Sequence, residues 1–405
     1  MVDLGVVMPV YVQKPEFLQA ALESVLNQTF SKFKMVIVID GAPEMEPLIK
    51  SIVKEDKRVK IVAYPDNQGV AHALNTGFQH LFLDEHIEYL TWVSSDNVYY
   101  PYYLETLRRE LKKGSDELGL VYSSFQSIDN NGSRLHNEHQ LAALRKYQSR
   151  PKERLLDSSI IGVSFMYKSK YAKMIDGYHL VPVEDYDYWL RLTENCEIRY
   201  IPVELMDYRV NSTYSVSATL KSSEQHRRWR YTYHLARHLA RSRRKMKPQV
   251  TVLFPISIAD EAALMRLENL YEQSFSNYYC YVLDLTTDQS AQALLSKVPH
   301  PITDFKWYPT VNELVASLIA VQMIQTPYTM ILNNVCTTDV MEMETLLIEL
   351  SKAEPSVMSN YYTPDHSQIG YRFAPYLPQK LDYYNELFKT EQLVQAIKFK
   401  YMNAW

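Results

Sequence analysis

The feature that most restricts the possible folds is an alternation of short apolar runs with segments of helical periodicity over the first hundred residues. The apolar runs cover residues 6–10, 35–39, 59–63 and 89–93. The segments with helical spacing cover residues 17–26, 47–54 and 70–83. Short β-branched runs are typical of strands, and apolar residues at every third or fourth position are typical of helices. This order predicts a mostly parallel sheet with helices packed on its faces.

The residues most informative about binding lie at the ends of the four predicted strands. They are Pro9 and Tyr11 after the first strand, Asp40 and Gly41 after the second, Asp66 to Gly69 after the third, and Ser94 to Asn97 after the fourth. In open parallel sheets, ligands bind outside the carboxyl ends of the strands. We therefore expect these residues to form one binding site at that edge of the sheet.

The composition indicates a globular protein with room for two domains. The chain has 405 residues, of which 46% are hydrophobic and 22% are charged, enough for two hydrophobic cores. Its three widely spaced cysteines, Cys196, Cys280 and Cys336, predict neither a disulfide framework nor a thiolate metal site. The sequence has no uninterrupted apolar run of about 18 residues, and its first apolar run has no basic flank. We therefore expect a cytoplasmic protein.

A basic segment at residues 221–247 divides the chain. Glu224 is its single acid, and its apolar residues recur at nearly helical spacing up to Pro248. We interpret the segment as a helical linker between a domain at 1–220 and a second domain at 248–405. The basic residues have two interpretations, a solvated linker helix or a surface that contacts an anionic partner such as acidic lipid or an acidic glycan.

The second domain repeats the pattern of the first. The matching segments are residues 8–40 with 254–284, and QTFS at 28–31 with QSFS at 273–276. A shared order over about 90 residues predicts a duplicated architecture. The second copy keeps Asp284, but its segment ILNNVC has no carboxylate where the first copy has Asp96. We therefore expect a degenerate α/β copy without a catalytic site, in which replacement of Asn334 leaves activity intact.

Six short motifs of the first domain occur in the order and spacing of a known family. They are VVMPVY, SVLNQTF, VIVIDGA, NQGVAHALNTG, SSDNVYYP and VEDYDYWLR. Residues 3 to 217 resemble the family 2 glycosyltransferases, which have the GT-A fold and transfer a sugar with inversion from a nucleotide-activated donor. The loop SSDNVYYP is similar to that of transferases of spore-coat polysaccharide synthesis. The resemblance implies a Rossmann-like GT-A sheet, a degenerate GT-A-like copy after it, and a role in cell-surface or spore-coat polysaccharide synthesis.

The resemblance implies a pocket for the base of the donor. Pro9, Tyr11 and Asp40 match this pocket, and a carboxylate accepts hydrogen bonds from the edge of a pyrimidine. A uridine or thymidine diphosphate sugar is the expected donor, and no nucleic acid partner is expected. The alternative for Asp40 and Gly41 is a turn residue pair, because both types are common in strand-to-loop turns for backbone reasons alone.

The motif NQGVAHALNTG implies a loop whose backbone comes close to the donor, with Asn67 and Gly69 as contact residues. The asparagines of the motif are expected to fix the loop geometry. Many relatives carry an arginine where this chain has Leu74. His72 is either the substitute for that arginine or a packed structural residue.

The segment Ser94, Ser95 and Asp96 stands where the family has its D-x-D motif, so only the second carboxylate is present. The resemblance implies that Asp96 ligates Mg²⁺ or Mn²⁺ together with the diphosphate, and that Ser95 contacts the donor. These ions prefer oxygen ligands and keep waters and phosphates in their shell. The metal then offsets charge on the leaving diphosphate. The alternative for Asp96 is a helix N-cap.

The acidic pair Glu184 and Asp185 opens the motif VEDYDYWLR. The resemblance implies that Asp185 is the general base that deprotonates the acceptor hydroxyl, with Glu184 beside it in the substrate site. The pKa of a free aspartate is near 3.9, and burial among other acids would raise it usefully. Acids at a helix start are also favourable without any catalytic role. Tyr188 and Trp189 are expected in the core.

Arg209 and Asn211, in MDYRVNSTYSVS, are expected to close over the diphosphate, and the acceptor is expected to be a glycan or another hydroxyl compound. Two other functions stay open. A catalytically silent nucleotide-sugar-binding or scaffold protein would explain the missing first aspartate, but retention of Asp96 and Asp185 favours an enzyme. A nucleotidyltransferase would need a glycine-rich basic loop after the first strand, and PVYVQKPEF has no glycine.

Overall fold

The computed structural model describes residues 2–210, 222–332, 336–363, 365–374 and 385–402 of the chain. The chain divides into two compact units, residues 1–236 and residues 237–405. The division falls inside a long helix that covers most of the basic segment predicted as the linker. Within the described part of the chain, every helix is too short or too polar to cross a bilayer.

The first unit alternates strands and helices as predicted. Its elements are β1 (Leu4–Val10), α1 (Pro15–Leu26), β2 (Phe33–Asp40), α2 (Glu46–Val53), β3 (Val59–Tyr64), α3 (Val70–Phe82), β4 (Tyr89–Trp92), β5 (Val98–Tyr99), α4 (Tyr103–Lys113), β6 (Leu118–Ile128), α5 (Glu138–Gln148), β7 (Phe165–Lys168), α6 (Ser169–Ala172), α7 (Glu184–Leu192) and β8 (Glu197–Arg209). The helix α8 (Ser223–Arg243) follows and continues into the second unit.

One sheet with the order β3-β2-β1-β4-β7-β6-β8-β5 runs through the first unit. The strands β3, β2, β1 and β4 are parallel neighbours, which confirms the prediction for this half. The other half is mixed, because β7 is antiparallel to β4 and β6, whereas β8 is parallel to β6. The carboxyl ends of β1, β2 and β4 therefore meet at one edge of the sheet.

The parallel half is held by apolar packing that the sequence pattern predicts. The helix α1 begins at Pro15, whose fixed φ suits a first turn, and buries Leu18 and Leu22. These side chains belong to the same buried cluster as Met8 and Ile37 on the central strands. Each such side chain contributes roughly 1.5–3 kcal/mol when it leaves water. The strands whose ends carry the candidate site residues are therefore held in place by a packed apolar core.

The second unit has the elements β9 (Val250–Ile256), α9 (Glu261–Tyr271), β10 (Tyr278–Asp284), α10 (Ser290–Leu295), β11 (Thr303–Trp307), α11 (Glu313–Val321), β12 (Tyr328–Ile331), α12 (Glu342–Lys352), β13 (Val357–Tyr362), β14 (Ile369–Phe373), β15 (Glu386–Lys389) and α13 (Thr390–Met402). Its sheet has the order β11-β10-β9-β12-β15-β13-β14. The parallel set β11-β10-β9-β12 repeats β3-β2-β1-β4, and an antiparallel strand follows in both units. A second α/β copy is therefore present.

A pair of glutamines shows that the two copies correspond in atomic detail. Gln28 accepts a hydrogen bond from the backbone N–H of Leu104 at 2.9 Å, in the first turn of α4. Gln273 accepts one from the N–H of Met343 at 3.0 Å, in the first turn of α12. Both glutamines also donate to a backbone carbonyl just before that helix. The matching QTFS and QSFS segments thus perform the same structural task, which is to satisfy N–H groups that a helix start leaves without intrahelical partners.

Candidate active site

One cavity of about 510 Å³ in the first unit is lined by ten of the residues predicted for the site, whereas Gly41, Asp66 and Gln68 do not line it. The ten lining residues are Pro9, Tyr11, Asp40, Asn67, Gly69, Ser95, Asp96, Glu184, Asp185 and Arg209. The volume lies in the range of roughly 300–1,000 Å³ that small-molecule sites occupy. The cavity lies at the carboxyl ends of β1, β2 and β4, and the first turn of α7 completes its wall. The fold therefore brings these residues from distant parts of the sequence to one cavity.

Asp40, the last residue of β2, holds the loop that follows β3. Its Oδ1 accepts the N–H of Gln68 at 2.7 Å and its Oδ2 accepts the N–H of Gly69 at 2.9 Å. The side chain of Asn67 returns a hydrogen bond to the Asp40 carbonyl at 3.2 Å. Gly69 has φ +91°, a conformation that a side chain makes costly. Asp40 therefore has a structural task in the cavity wall, and each carboxylate oxygen keeps further acceptor capacity.

The corresponding residue of the second unit, Asp284, also accepts backbone N–H groups, but from the segment that follows its own strand. It ends β10 and is fully buried. Its Oδ1 accepts from the N–H and the hydroxyl of Thr286, at 2.9 and 2.6 Å, and its Oδ2 accepts from the N–H of Gln292 at 2.8 Å. An aspartate that binds backbone N–H groups beyond the second strand is thus common to both copies.

Asp96 lies in the loop between β4 and β5 and is only 7% exposed. Its Oδ1 accepts a hydrogen bond from the Ser94 hydroxyl at 2.6 Å, and the backbone N–H of Ser94 is held by the Tyr99 hydroxyl at 2.8 Å. The helix α4 begins at Tyr103, so the N-cap alternative for Asp96 is wrong. Ser94 stands where the missing first aspartate of the motif would be, and it orients the carboxylate that remains.

Arg209, the last residue of β8, places a buried cation against the Asp96 loop. Its Nε donates to the Asp96 carbonyl at 3.1 Å and its Nη1 to the Asp129 carbonyl at 2.8 Å. Its guanidinium carbon lies 3.9 Å from the centroid of the Phe17 ring. Burial lowers the pKa of Arg209 below its usual value, and Asp96 opposes this shift. Since arginine stays protonated in proteins, the cavity carries a fixed positive charge beside Asp96.

Glu184 and Asp185 form the first turn of α7, as the sequence predicts for favourable helix-start charges. Burial raises the pKa of Asp185 well above its usual value, and the adjacent Glu184 raises it further. Burial also raises the pKa of Glu184. Glu184 Oε2 and Asp185 Oδ1 are buried and lack a hydrogen-bond partner among the described residues. Two acceptor oxygens are thus held at the cavity with their hydrogen-bonding capacity unused.

The rest of α7 is anchored in the core. Tyr188 stacks on Tyr178 with ring centroids 4.0 Å apart, and Trp189 is 1% exposed, which confirms that both are packing residues. Asp187 pairs with Arg191 at 2.7 Å. Tyr186 stacks on Tyr233 of α8 at 4.4 Å. The helix that carries the acidic pair is therefore fixed on several sides.

Some sequence interpretations change with the structure. His72 is exposed, its ring meets Tyr64 edge-on, and it does not line the cavity, so it does not replace the family's arginine. The cavity also includes Gln13, Trp92 and Tyr208, which were not predicted. Trp92 ends β4, so the strand-end rule that selected Ser94 also selects it. Its aromatic character assigned it to the strand instead.

The basic helix α8 is not a solvated linker. Arg230, Arg237 and Arg241 are each less than a tenth exposed, and Arg241 donates to the Ser276 carbonyl at 3.2 Å and to its hydroxyl at 3.0 Å. Contact of the exposed cations of this segment with an anionic partner stays a prediction. Asn211 and Asn334 lie outside the described residues.

The oxygen-rich surroundings of Asp96 fit a hard divalent cation. Among the described residues, no group of three or more His, Cys, Asp or Glu side chains could hold a metal ion by itself. The donors at hand are the carboxylate of Asp96 and the hydroxyls of Ser94 and Ser95. Mg²⁺ is commonly bound by one or two carboxylates plus substrate phosphates. The residues present therefore suit a metal that binds together with a diphosphate.

The family model described as glycosyl transferase family 2 matches residues 5–175. Two curated relatives, each described as an uncharacterized glycosyltransferase, are from Rickettsia typhi and Methanocaldococcus jannaschii. Each is 25% identical to this chain, over 232 and 215 residues, covering 55% and 51% of this chain and 69% and 70% of the relative. In three further Rickettsia relatives the matched region covers 30–34% of their length.

Solved structures with similarity to this chain include S. aureus TarS 1-349 in complex with UDP, with 16% identity, a TM-score of 0.43, and coverage of 58% of this chain and 65% of that chain. Another is the mannosyltransferase PcManGT from Pyrobaculum calidifontis in complex with GDP-Man and Mn²⁺, with 15% identity, a TM-score of 0.43, and coverage of 60% and 64%. The family match covers most of the sheet, from β1 to β7, and the cavity residues that these strands and their loops supply, but it ends before Glu184, Asp185 and Arg209. Residues 5–175 match the glycosyltransferase family 2 model, and this match together with the glycosyltransferase-named relatives supports an enzyme of the transferase class.

Proposed function

We propose that the first unit is an inverting glycosyltransferase that moves a sugar from a nucleoside diphosphate sugar to a hydroxyl acceptor. The observation that supports this most is the cavity itself, which brings Asp96, Arg209 and the Glu184–Asp185 pair to one place from distant parts of the sequence. A cation and a metal-binding carboxylate suit a diphosphate. A buried carboxylate with a raised pKa suits proton abstraction.

The donor half of the proposal uses the sheet edge. The base lies against Pro9 and Tyr11, and Asp40 accepts from its edge with the lone pairs that the loop contacts leave. Asn67 and Gly69 supply backbone close to the donor, and Ser95 contacts its ribose. Tyr11 is 46% exposed and at the cavity wall, so its ring is accessible for stacking. A uridine or thymidine base is the expected choice.

The diphosphate lies between Asp96 and Arg209. The guanidinium is held by two backbone carbonyls and the Phe17 ring, so it needs little reorganisation when charge develops on the leaving group. A bound Mg²⁺ or Mn²⁺, held by Asp96, would supply further positive charge to the phosphate oxygens. Ser94 keeps the Asp96 carboxylate in the required orientation.

The transfer step needs one proton acceptor. The acceptor hydroxyl gives its proton to the Asp185 carboxylate while its oxygen forms a bond to the anomeric carbon. The bond from that carbon to the diphosphate oxygen breaks on the opposite face, and the nucleoside diphosphate leaves with the bonding electrons. Attack and departure on opposite faces invert the anomeric configuration. A pKa raised by burial makes Asp185 a stronger base than a free aspartate.

The experiment that tests the proposal is a screen of uridine, thymidine and guanosine diphosphates and their sugars for thermal stabilisation, with and without Mn²⁺. A ligand that binds only the folded state raises the stability by about 2.7 kcal/mol at a hundredfold excess over its Kd. We expect stabilisation by at least one pyrimidine nucleotide and release of nucleoside diphosphate from its sugar. The absence of stabilisation by every nucleotide would contradict the proposal. Stabilisation without turnover toward a range of glycan acceptors would favour the silent nucleotide-binding alternative.

A further inference from the structure

Two polar atoms at the cavity, one a donor and one an acceptor, are buried and have no hydrogen-bond partner of good geometry among the described residues. They are the indole Nε1 of Trp92 and Oδ1 of Asp185. Both residues line the same cavity. Buried polar groups in native proteins are nearly always paired, so each orphan calls for an explanation. An indole N–H can only donate and an ionised carboxylate can only accept, so the two groups are complementary in hydrogen bonding.

A chain of edge-on aromatic contacts places the indole beside the first turn of α7. Trp92 meets Phe165 with centroids 5.8 Å apart and an interplanar angle of 65°. Phe165 meets Trp189 at 4.4 Å, again at 65°. Trp189 follows Asp185 by four residues on α7, and residues at this spacing lie on the same helix face. The packing that fixes Trp92 is therefore the packing that fixes the face carrying Asp185.

Other groups around Asp185 do not meet its need for a donor. Glu184, on the same helix, is a second acceptor with a buried oxygen of its own. The Tyr178 hydroxyl, from the segment before α7, lies 3.3 Å from the Tyr167 hydroxyl and also interacts with the indole N–H of Trp92, so it is a second acceptor for that donor beside Asp185. The indole N–H of Trp92 lowers the pKa of Asp185, whereas burial and Glu184 raise it.

We propose that Trp92 is a positioning residue for the general base, and that its indole N–H interacts with Asp185 Oδ1 already in the free protein, through a hydrogen bond that tightens when substrates fill the cavity and leaves the other carboxylate oxygen for the acceptor hydroxyl. Catalytic hydrogen bonds are often long or poorly aligned until substrates bind. The N–H would fix the carboxylate rotamer and favour the ionised form of Asp185 beside Glu184. This inference rests on the proposed function, since it assigns Trp92 to the base of that reaction.

The first experiment needs no substrate. The ¹³Cγ signal of Asp185 in the full-length protein, assigned by its loss in Asp185→Asn, is titrated in the wild type and in Trp92→Phe. Loss of a hydrogen-bond donor to a carboxylate favours the protonated form. We therefore expect the titration midpoint of Asp185 to be about one pH unit higher in Trp92→Phe than in the wild type. At pH values below both midpoints, this shift lowers the ionised fraction of Asp185 about tenfold.

Two further variants separate this effect from altered packing. Thr91→Val removes the neighbouring hydroxyl, which contacts the Phe165 carbonyl at 2.7 Å, and we expect the Asp185 midpoint to stay in place. Replacement of Trp92 by benzothienylalanine keeps the ring size and removes only the N–H, so it serves if Trp92→Phe folds poorly. An unchanged or lowered midpoint in that analogue overturns the inference.

The second experiment uses the transfer reaction. The acid limb of the rate against pH is expected to move upward in Trp92→Phe by the same amount as the titration, with an unchanged plateau at high pH. A general structural defect would lower the rate at every pH. A shifted titration with an unshifted acid limb would mean that Trp92 contacts Asp185 but that Asp185 is not the base, which overturns the assigned role while the donor-binding half of the proposed function stands.

Discussion

Replacement of Asp40 by asparagine, compared with the same change at Asp284, separates architecture from ligand binding. Each carboxylate accepts backbone N–H groups with both of its oxygens. An asparagine can satisfy one such N–H with its single oxygen, and its amide group then faces the other donor. Hydrogen bonds to a charged group are worth about 1.5–3 kcal/mol each. Both variants should therefore lose about 2–3 kcal/mol of stability.

Only one of the two variants should affect the nucleotide. In units of 150–250 residues, a loss of 2–3 kcal/mol lowers Tm by roughly 4–12 °C, and calorimetry of Asp40→Asn and Asp284→Asn should show comparable losses. If Asp40 also accepts from the base, Asp40→Asn should weaken donor binding about tenfold or more, equivalent to about 1.4 kcal/mol. Asp284→Asn should leave the nucleotide-induced rise in Tm unchanged.

The outcome that would refute this reasoning is equal behaviour of the two variants toward the nucleotide. If the nucleotide stabilises Asp40→Asn as much as Asp284→Asn, Asp40 supports the loop of Gln68 and Gly69 and does not contact the base. If Asp284→Asn loses no stability at all, the hydrogen bonds seen at both sheet edges do not carry the free energy assigned to them.

Three further variants test the remaining parts of the site. Asp185→Asn should reduce transfer by about 10²–10⁴-fold, and the donor should still raise the Tm of the variant. The pKa of Asp185 is raised in the folded protein, so ionisation of Asp185 destabilises the wild type as pH rises above about 4. The Tm of the variant relative to the wild type should therefore increase with pH, and a pH-independent difference would contradict this. Asp96→Asn should abolish any Mn²⁺ dependence of nucleotide binding, checked by titrating Mn²⁺ at fixed nucleotide; undiminished dependence would exclude Asp96 as the ligand. Arg209→Lys should weaken donor binding about tenfold and lower the Tm, since a lysine cannot keep two carbonyl contacts and the Phe17 stacking together. Nucleotide titration measures the binding and calorimetry measures the Tm. Wild-type values of both would show that the planar cation is not needed.

Much of the fold follows from the sequence because its signals are local. The β-branched runs and amphipathic helices of the parallel half lie where their periodicities predict, and the rule that ligands gather at carboxyl strand ends found Asp40 and Asp96. The mixed half of the sheet depends on long-range pairing, such as β8 beside β6, which no local pattern shows. The partners of Asp40 could not be predicted either. Its carboxylate bonds to loop backbone 28 and 29 residues away, and backbone groups have no signature in sequence.

The basic helix shows the opposite difficulty. The run of arginines favoured a solvent-exposed helix, yet Arg230 and Arg241 are buried. Long cationic side chains bury their stems along apolar surface and hydrogen-bond at the tip, as Arg241 does with Ser276. Charge density in a sequence does not distinguish these two environments.

The twin aspartates at the ends of β2 and β10 give this chain an internal reference. The copy whose sequence has no counterpart of Asp96 still has Asp284 with backbone partners, so this carboxylate has a structural role that needs no substrate. An aspartate at the end of the second strand is therefore a poor indicator of which copy of a duplicated domain is active. Buried acids whose oxygens have no hydrogen-bond partner among the described residues, such as Glu184 and Asp185, are a better indicator of the active copy.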